Sequence, residues 1–310
     1  MNATAAVRYH VRHETSYAYS GDVVHSHQLL HLTPRESVYQ SCVAHDVDIE
    51  PSPAYRAADS DAFGNTVTRL EFDRPHRRLD VAAEMTVDIK ERPTCSEDSE
   101  PWERARSRFN YAARPPAEGL LEATRYRFES PYVRIKQRFT DYGESCFEAG
   151  KPLLECADSL MHKLYEDMTY APGETSIGTP LLEVLKTKRG VCQDFAHLMI
   201  ACMRARGFPA RYVSGYLRTT PAPGVAPLVG ADASHAWVAV YCPTGGWVEF
   251  DPTNGVKANT NHITLAWGRD FGDVSPLRGV IVGGGHHTLS VRVTVTPRPE
   301  DEAASDDEQP

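Results

Sequence analysis

Between residues 7 and about 92 apolar positions alternate with polar ones. The runs "VRYHVRHETSYAY", "SCVAHDVDIEP", "GNTVTRLEF" and "RLDVAAEMTVDI" carry the two-residue period of half-buried strands, and Pro, Gly, Asp and Ser clusters separate them. Strand after strand with no helix between predicts an all-β sandwich domain over residues 1–95. The stretches "KERPTCSEDSEPWERARSRF" and "AARPPAEGLLEATRY", rich in Pro and charge, read as a linker and helical approach over 96–150. The period then changes. "PLLECADSLMHKLYEDM" (152–168) and "TPLLEVLKTK" (179–188) place apolar residues at helical spacing, and residues 190–207 add a third helix. Strand texture returns in "ARYVSGYLRT", "HAWVAVYC", "GWVEFDP" and "TLSVRVTVTP". Helices first and antiparallel strands after predict an α+β core over 151–297. Residues 298–310, acidic and poor in apolar side chains, read as a disordered tail.

Length and charge narrow the picture. A chain of 310 residues, 41% hydrophobic and 24% charged, is long for one domain and ordinary for a soluble globular protein. A net charge of −9 argues against nucleic acid or an anionic membrane as the main partner. The N-terminal "MNATAAVRYHVRHETSY" lacks the apolar stretch of a signal peptide, and no run approaches a membrane span. Seven widely spaced cysteines without a CxxC predict no disulfide framework, and a cytoplasmic setting is the expectation.

One of those cysteines stands out. In "GVCQDFAHLMIACMRARGFPARYVSGY" (190–216), Phe195, Leu198, Met199 and Cys202 form one apolar helical face. Gly207 followed by Pro209 predicts the stop, with Arg204 and Arg206 suiting the C-terminal dipole. Cys192 then lies in the first turn, where unpaired N–H groups and the macrodipole stabilise a thiolate. Gly190 is expected to leave room for another group beside the sulfur. His197, five residues on, lies roughly 140° around the helix and is out of reach. Taken alone, Cys192 reads as core packing. A second constellation changes that reading. In "SHAWVAVYCPTGGWVEFDPTNG" (234–255), His235 opens a strand and Asp251 closes the next, across a turn that reads as a hairpin. The two can therefore meet, with the carboxylate fixing the imidazole while its other nitrogen faces a nucleophile.

"GVCQDFAHL", "SHAWVAVY" and "GWVEFDPTN" resemble the Cys, His and Asp boxes of the transglutaminase-like superfamily, which shares a papain-like core. The likeness is greatest to its bacterial branch, usually described as cysteine proteases. "HETSYAYS", "HLTPRE", "DAFGNTVTRLEF" and "HITLAWGRDFGDVSPLRGV" also fit that branch, so the resemblance spans about residues 7–297. It implies an N-terminal β-sandwich and a papain-like, transglutaminase-like α+β core carrying a triad. Cys192 would be the nucleophile, His235 the general base and Asp251 the residue that orients it. The backbone N–H of Cys192 is a first oxyanion donor. Relatives use an upstream aromatic or amide side chain as a second, for which Tyr170 and Gln193 are candidates.

The expected chemistry is acyl transfer on a peptide or protein substrate, with no cofactor and no metal. Hydrolysis is favoured over transamidation or deamidation on the same triad, because the chain shows no D-x-D-x-D-G calcium loop. A non-catalytic peptide- or protein-binding module is the alternative of another class, and it would be marked by a lost triad residue. Zinc held by Cys192, His235 and Asp251 would lack the short paired spacing of zinc sites. Arg269, Asp270 and Asp273 in "GRDFGDVSP" either line the cleft or brace their loop. Asp194 reads as a dipole partner, and Cys202 and Cys242 as core. "HSHQLLH" (25–31) reads as strand surface rather than a metal site, and His286 and His287 as exposed loop. Natural substrate, oligomeric state and protein partners are left open.

Overall fold

The computed structural model describes residues 6–92, 99–110, 118–218 and 234–298. Five strands come first: β1 (Val7–Leu30), β2 (Gln40–Glu50), β3 (Tyr55–Ser60), β4 (Thr66–Phe72) and β5 (His76–Ile89). The alternation read from the sequence is physical burial. Leu79, Val81, Ala83, Met85, Val87 and Ile89 of β5 all point into the core, while their neighbours do not. Each of these side chains but Ala83 contributes about 1.5–3 kcal/mol relative to exposure. β1 is a single strand of 24 residues. Its first part pairs with β5 and its last part with β4, with the register broken between Ala18 and Val23.

The second half is helical at first. It contains α1 (Trp102–Ser107), α2 (Glu118–Thr124), α3 (Gln137–Tyr142), α4 (Leu153–Asp167), the two-residue β6 (Thr169–Tyr170), α5 (Leu181–Thr187), β7 (Arg189–Gly190) and α6 (Cys192–Ala205). α6 ends as expected, with Gly207 in the left-handed region at φ 89°. Strands β8 (Ala210–Leu217), β9 (Ser234–Cys242), β10 (Gly246–Asp251), β11 (Val256–Lys257) and β12 (His262–Gly268) form an antiparallel sheet in the order β11-β10-β9-β8-β12. Leu160 and Leu164 of α4 and Phe195, Leu198, Met199 and Met203 of α6 share one core with Val238, Val240 and Phe250 of that sheet. α6 is buried on every side, so its polar residues need partners. Arg204 is not a solvated dipole partner. It is buried and donates to the carbonyls of Phe128, Ala210 and Arg269 and to Ser130 Oγ.

After α7 (Phe271–Val274) the chain returns to the first sheet through β13 (Leu277–Gly283) and β14 (His287–Arg298), both antiparallel to β1. The all-β N-terminal region is therefore one curled seven-stranded sheet, two of whose strands come from the far end of the chain. The expected core boundary at 297 is corrected accordingly: "TLSVRVTVTP" belongs to the N-terminal sheet. Arg298 still pairs with Arg8, and the rest of the expected tail, 299–310, lies outside the described residues. Tyr216, Ile263 and Leu265 join the two halves by packing into the N-terminal core. Two buried side-chain amides seal the outer edge of β12. Gln40 bonds the N–H and C=O of Thr264 at 2.8 and 2.7 Å, and Asn65 those of Trp267 at 3.0 and 2.9 Å. Amides here take the place of a neighbouring strand. No helix among the described residues is long and apolar enough to cross a membrane.

Candidate active site

Cys192 sits in the first turn of α6, half-buried against the core formed with α4. The turn is held by Asp194, whose Oδ2 accepts the N–H of Val191 at 2.9 Å and the Thr175 hydroxyl at 2.7 Å. A β-carbon on Gly190 would lie 2.6 Å from that oxygen. Gly190 thus makes room for Asp194, not for a group beside the sulfur as the sequence led one to expect. The N–H groups of Cys192 and Gln193 have no acceptor within the helix. His197 points away, as its helical position predicts: its Nε2 accepts the N–H of Phe271 at 3.1 Å.

β9 and β10 form the expected hairpin, with Cys242 paired to Gly246 and Val238 to Phe250. That register sets Trp237, not His235, opposite Asp251. His235 and Asp251 are diagonal on one face, and His235 Nε2–H donates to Asp251 Oδ2 at 2.7 Å. Cys192 acts on the same imidazole, being among the groups that raise His235. Residues that are far apart in the chain are thus brought into the order Cys192, His235, Asp251.

Asp251 is fully buried and accepts five donors. Besides His235, Oδ2 takes Asn254 Nδ2 at 2.7 Å and His262 Nε2 at 3.2 Å. Oδ1 takes the backbone N–H groups of Thr253 and Asn254 at 3.0 and 3.3 Å. Burial opposes its ionisation, yet the hydrogen bonds from both histidines hold its carboxyl well below the usual carboxylate range. For His235 burial works against protonation, while Asp251 and Cys192 outweigh it and raise the imidazole to about 10. His262 is different. Burial pushes it below the ordinary imidazole value, more than Asp251 raises it, so it is neutral at neutral pH. Nδ1 of His262 lies 3.2 Å from the Asn259 N–H and 3.3 Å from Asn259 Oδ1, while Nε2 faces the buried carboxylate at 3.2 Å, which favours the tautomer with its proton on Nε2 toward Asp251. The indole of Trp237 lies against both imidazoles, edge-on to His262, and packs over Gly215, where a β-carbon would meet it at 2.6 Å.

Sequence reasoning had not singled out His262 or Asn254. The only available signals were a histidine opening a strand and an asparagine three residues after Asp251 in "DPTN". Neither separates a positioning residue from surface.

His235, Asp251 and His262 bring three metal-ligating atoms within 4.8 Å of one another. This is not the zinc set weighed from the sequence, since Cys192 is absent from it. Both imidazole Nε2 atoms share one carboxylate oxygen, and His262 directs a proton there rather than a lone pair, so the donor set suits hydrogen bonding better than a metal. On the outer face of β1, exposed His25 and His27 bring their Nε2 atoms to 2.9 Å.

The remaining candidates fall in two places. Tyr170 pairs with Gly190 across β6 and β7 and stands near the sulfur; burial and Cys192 together push its phenol pKa upward. Gln193 is half-buried beside Cys192. Arg269 and Asp273 are not with this group. Arg269 Nε and Nη2 grip Asp273 Oδ2 and Oδ1, both at 2.9 Å. They line a separate cavity with Phe63 and Arg125, and the Arg269 carbonyl bonds Arg204 at the other end of α6. That end is about 18 Å from Cys192 at 1.5 Å per residue. Asp270, fully buried, caps α7 and accepts the N–H groups of Gly272 and Tyr132.

Comparison with known proteins gives a consistent family. The bacterial transglutaminase-like N-terminal region matches residues 9–88, and the transglutaminase-like superfamily core matches 140–252. An uncharacterized protein of Mycobacterium tuberculosis is 39% identical over 299 residues, covering 94% of this chain and 93% of its own. A protein-glutamine gamma-glutamyltransferase of Pseudomonas aeruginosa is 42% identical over 69 residues, 22% of this chain and 10% of that protein. The crystal structure of a candidate cysteine protease from Cytophaga hutchinsonii superposes with a TM-score of 0.72 at 19% identity, covering 96% of this chain and 92% of that one.

Proposed function

Because the chain belongs to the transglutaminase-like superfamily, we propose that it is a cysteine-dependent acyl-transfer enzyme acting on amide bonds of a peptide or protein. The observation that carries this reading is the relay of Cys192 at a helix N-terminus, His235 beside it and the anionic Asp251 behind. Cys192 as thiolate attacks the carbonyl carbon, forming a C–S bond and placing the electron pair on oxygen. The N–H groups at the start of α6, without acceptors in the helix, are the donors proposed for that oxygen, with Tyr170 or Gln193 as a further donor. As the carbonyl re-forms, the C–N bond breaks and His235 Nδ1–H gives its proton to the departing amine, leaving a thioester. Water then attacks the thioester. His235 Nδ1 takes the water's proton as the C–O bond forms, the C–S bond then breaks, and the acid leaves with the Cys192 thiolate and the charged imidazole restored. Asp251 holds the imidazole throughout and stabilises its charged form.

Hydrolysis is the leading reading. Transamidation uses the same residues with an amine in place of water, and the 69-residue likeness to the Pseudomonas enzyme keeps it in the test. The protein is incubated with glutamine-containing peptides, quenched in acid and measured by intact mass. An acyl adduct on Cys192 that hydroxylamine releases is expected. The amide-to-acid product in water, and its persistence when a primary amine is added, then distinguishes hydrolysis from transfer. If no peptide forms an adduct and iodoacetamide labels Cys192 no faster than Cys42, the catalytic reading is wrong and a binding module takes its place.

His262 supplies a smaller prediction. His262→Phe keeps ring volume but removes a donor to a buried carboxylate, an interaction of about 1.5–3 kcal/mol. A drop of roughly 10- to 100-fold in kcat/KM is expected from that range. His262→Gln restores an N–H donor and should recover part of the activity. Equal activity in both variants would show that ring packing alone matters.

A further inference from the structure

On the face of β8 opposite α6, at the junction of the two halves, lies a cavity of about 230 Å³. Three arginines line it: Arg35 from the segment after β1, Arg92 after β5 and Arg211 on β8. Arg211 is 4% exposed. Its guanidinium carbon lies 3.6 Å from the Trp267 ring centre and 4.1 Å from that of Trp247. Arg35 stands 3.5 Å from the same Trp267 ring and so takes its other face. Guanidinium and indole groups alternate in a ladder: Arg35, Trp267, Arg211, Trp247.

Stacking on indoles accounts for the planes of these cations but not for their charge or their donors. Among the described residues, no carboxylate lies within ion-pairing distance of Arg211, and the Nε atoms of Arg35, Arg92 and Arg211 and the indole N–H of Trp267 are buried without a hydrogen-bond partner. Among the described residues the one carboxylate lining the cavity is Glu249, and it already accepts the Trp237 indole at 2.7 Å and faces Arg92 at 3.6 Å. Burial lowers Arg211 only to about 10, so it stays charged at neutral pH. Among the described lining residues three cations face one carboxylate, and Asp61 and Glu122 act on Arg35 and Arg211 only from beyond ion-pairing distance. This leaves an excess of positive charge in a small space with low dielectric, where an unpaired charge is costly. Arg92 also donates to the carbonyls of Asn259 and His262, which ties the cavity wall to the strand carrying His262.

We propose that this cavity binds a small tetrahedral oxyanion of the phosphate class, either free or as the end group of a small phosphomonoester. Arg35 Nη1 is given to Asn65 Oδ1 at 2.7 Å and Arg92 Nη1 and Nη2 to backbone carbonyls. The donors left on the three guanidinium groups still exceed the roughly four lone-pair positions of a carboxylate, whereas a phosphate has four oxygens to share among them. The volume admits such a group and excludes a macromolecule. The site is independent of the acyl-transfer reading, since none of its residues belongs to the relay.

The test is thermal unfolding of the full chain at constant ionic strength in chloride, acetate, inorganic phosphate or methyl phosphate. Phosphate should raise Tm saturably over chloride, by roughly 2–4 °C at tenfold excess over its Kd. Methyl phosphate matching or exceeding it identifies an ester end group, and a response to inorganic phosphate alone identifies the free ion. Arg211→Gln should abolish the rise. Should that buried substitution unfold the protein, Arg92→Gln at the cavity rim serves instead and should weaken the response. Phosphate acting no better than chloride, acetate acting as well as phosphate, or a response that survives Arg92→Gln undiminished would each overturn the proposal.

Discussion

Replacing His235 by alanine is expected to remove nearly all of the special reactivity of Cys192 toward iodoacetamide below neutral pH. In the native protein the imidazole is held charged up to about 10 by Asp251 and the sulfur. A thiol without such a partner, with a pKa near 8.5, is only about 0.3% ionised at pH 6. Labelling at pH 6 should therefore fall by about two orders of magnitude in His235→Ala, since the thiolate is the reacting form. The curves of the two proteins should converge above the ordinary thiol range, where the thiol of the variant ionises without help. Turnover should fall further, by about 10³-fold or more, because both proton transfers use this ring. The linkage has a definite sign. A histidine raised above its unfolded value contributes stability that is complete below about pH 6.5 and is lost as pH rises through about 10. The stability gap between native protein and His235→Ala, measured by denaturant unfolding, should shrink across that window. Labelling at pH 6 that is unchanged in the variant would break the link between thiol and imidazole.

Asp251→Asn should damage both activity and stability, although the side chains have nearly the same shape. Oδ2 accepts His235, Asn254 and His262, and Oδ1 accepts two backbone N–H groups. An amide has one oxygen. In either orientation its NH2 faces donors, and at least two of them lose their acceptor. Buried donors left unpaired cost about 1–3 kcal/mol each, so a loss of roughly 2–5 kcal/mol is expected, read as a lower unfolding midpoint. Loss of the negative charge also removes what holds His235 charged, so the imidazolium that favours the thiolate is weakened and the onset of Cys192 labelling should move to higher pH. By analogy with other triads, kcat/KM should fall by about 10³–10⁴-fold. A variant with native stability and activity within tenfold of the native protein would mean that Asp251 does not serve the imidazole.

Much of this was legible in the sequence, for local reasons. The two-residue period of β5 and the 3.6-residue period of α6 are read from neighbours in the chain, and both elements stand where that period placed them. Cys192 in the first turn and His235 and Asp251 on one hairpin follow from such periods and from a turn. The resemblance of three short boxes joins them within the sequence itself. What escaped was held by contacts that leave no local trace. β14 has a strand pattern but nothing in it names its neighbour, and it pairs with β1 more than 250 residues earlier. Arg204 looked like a helix-end charge and is a buried cross-link, because α6 is covered on all sides. Gly190 looked like access to the sulfur and is space for Asp194. Arg269 and Asp273 stood as cleft candidates and are paired at the far end of α6.

By itself, then, the sequence determined the class of fold and singled out Cys192, His235 and Asp251 as candidates, since periodicity and motif are properties of adjacent residues. Only the tertiary structure decided the register that sets Asp251 diagonal to His235 and the neutral His262 that secures the carboxylate. It alone also decided the arginine–indole ladder across the domain junction. Burial, tautomer and uncompensated charge depend on which distant side chains surround a group, and that arrangement exists only once the chain has packed.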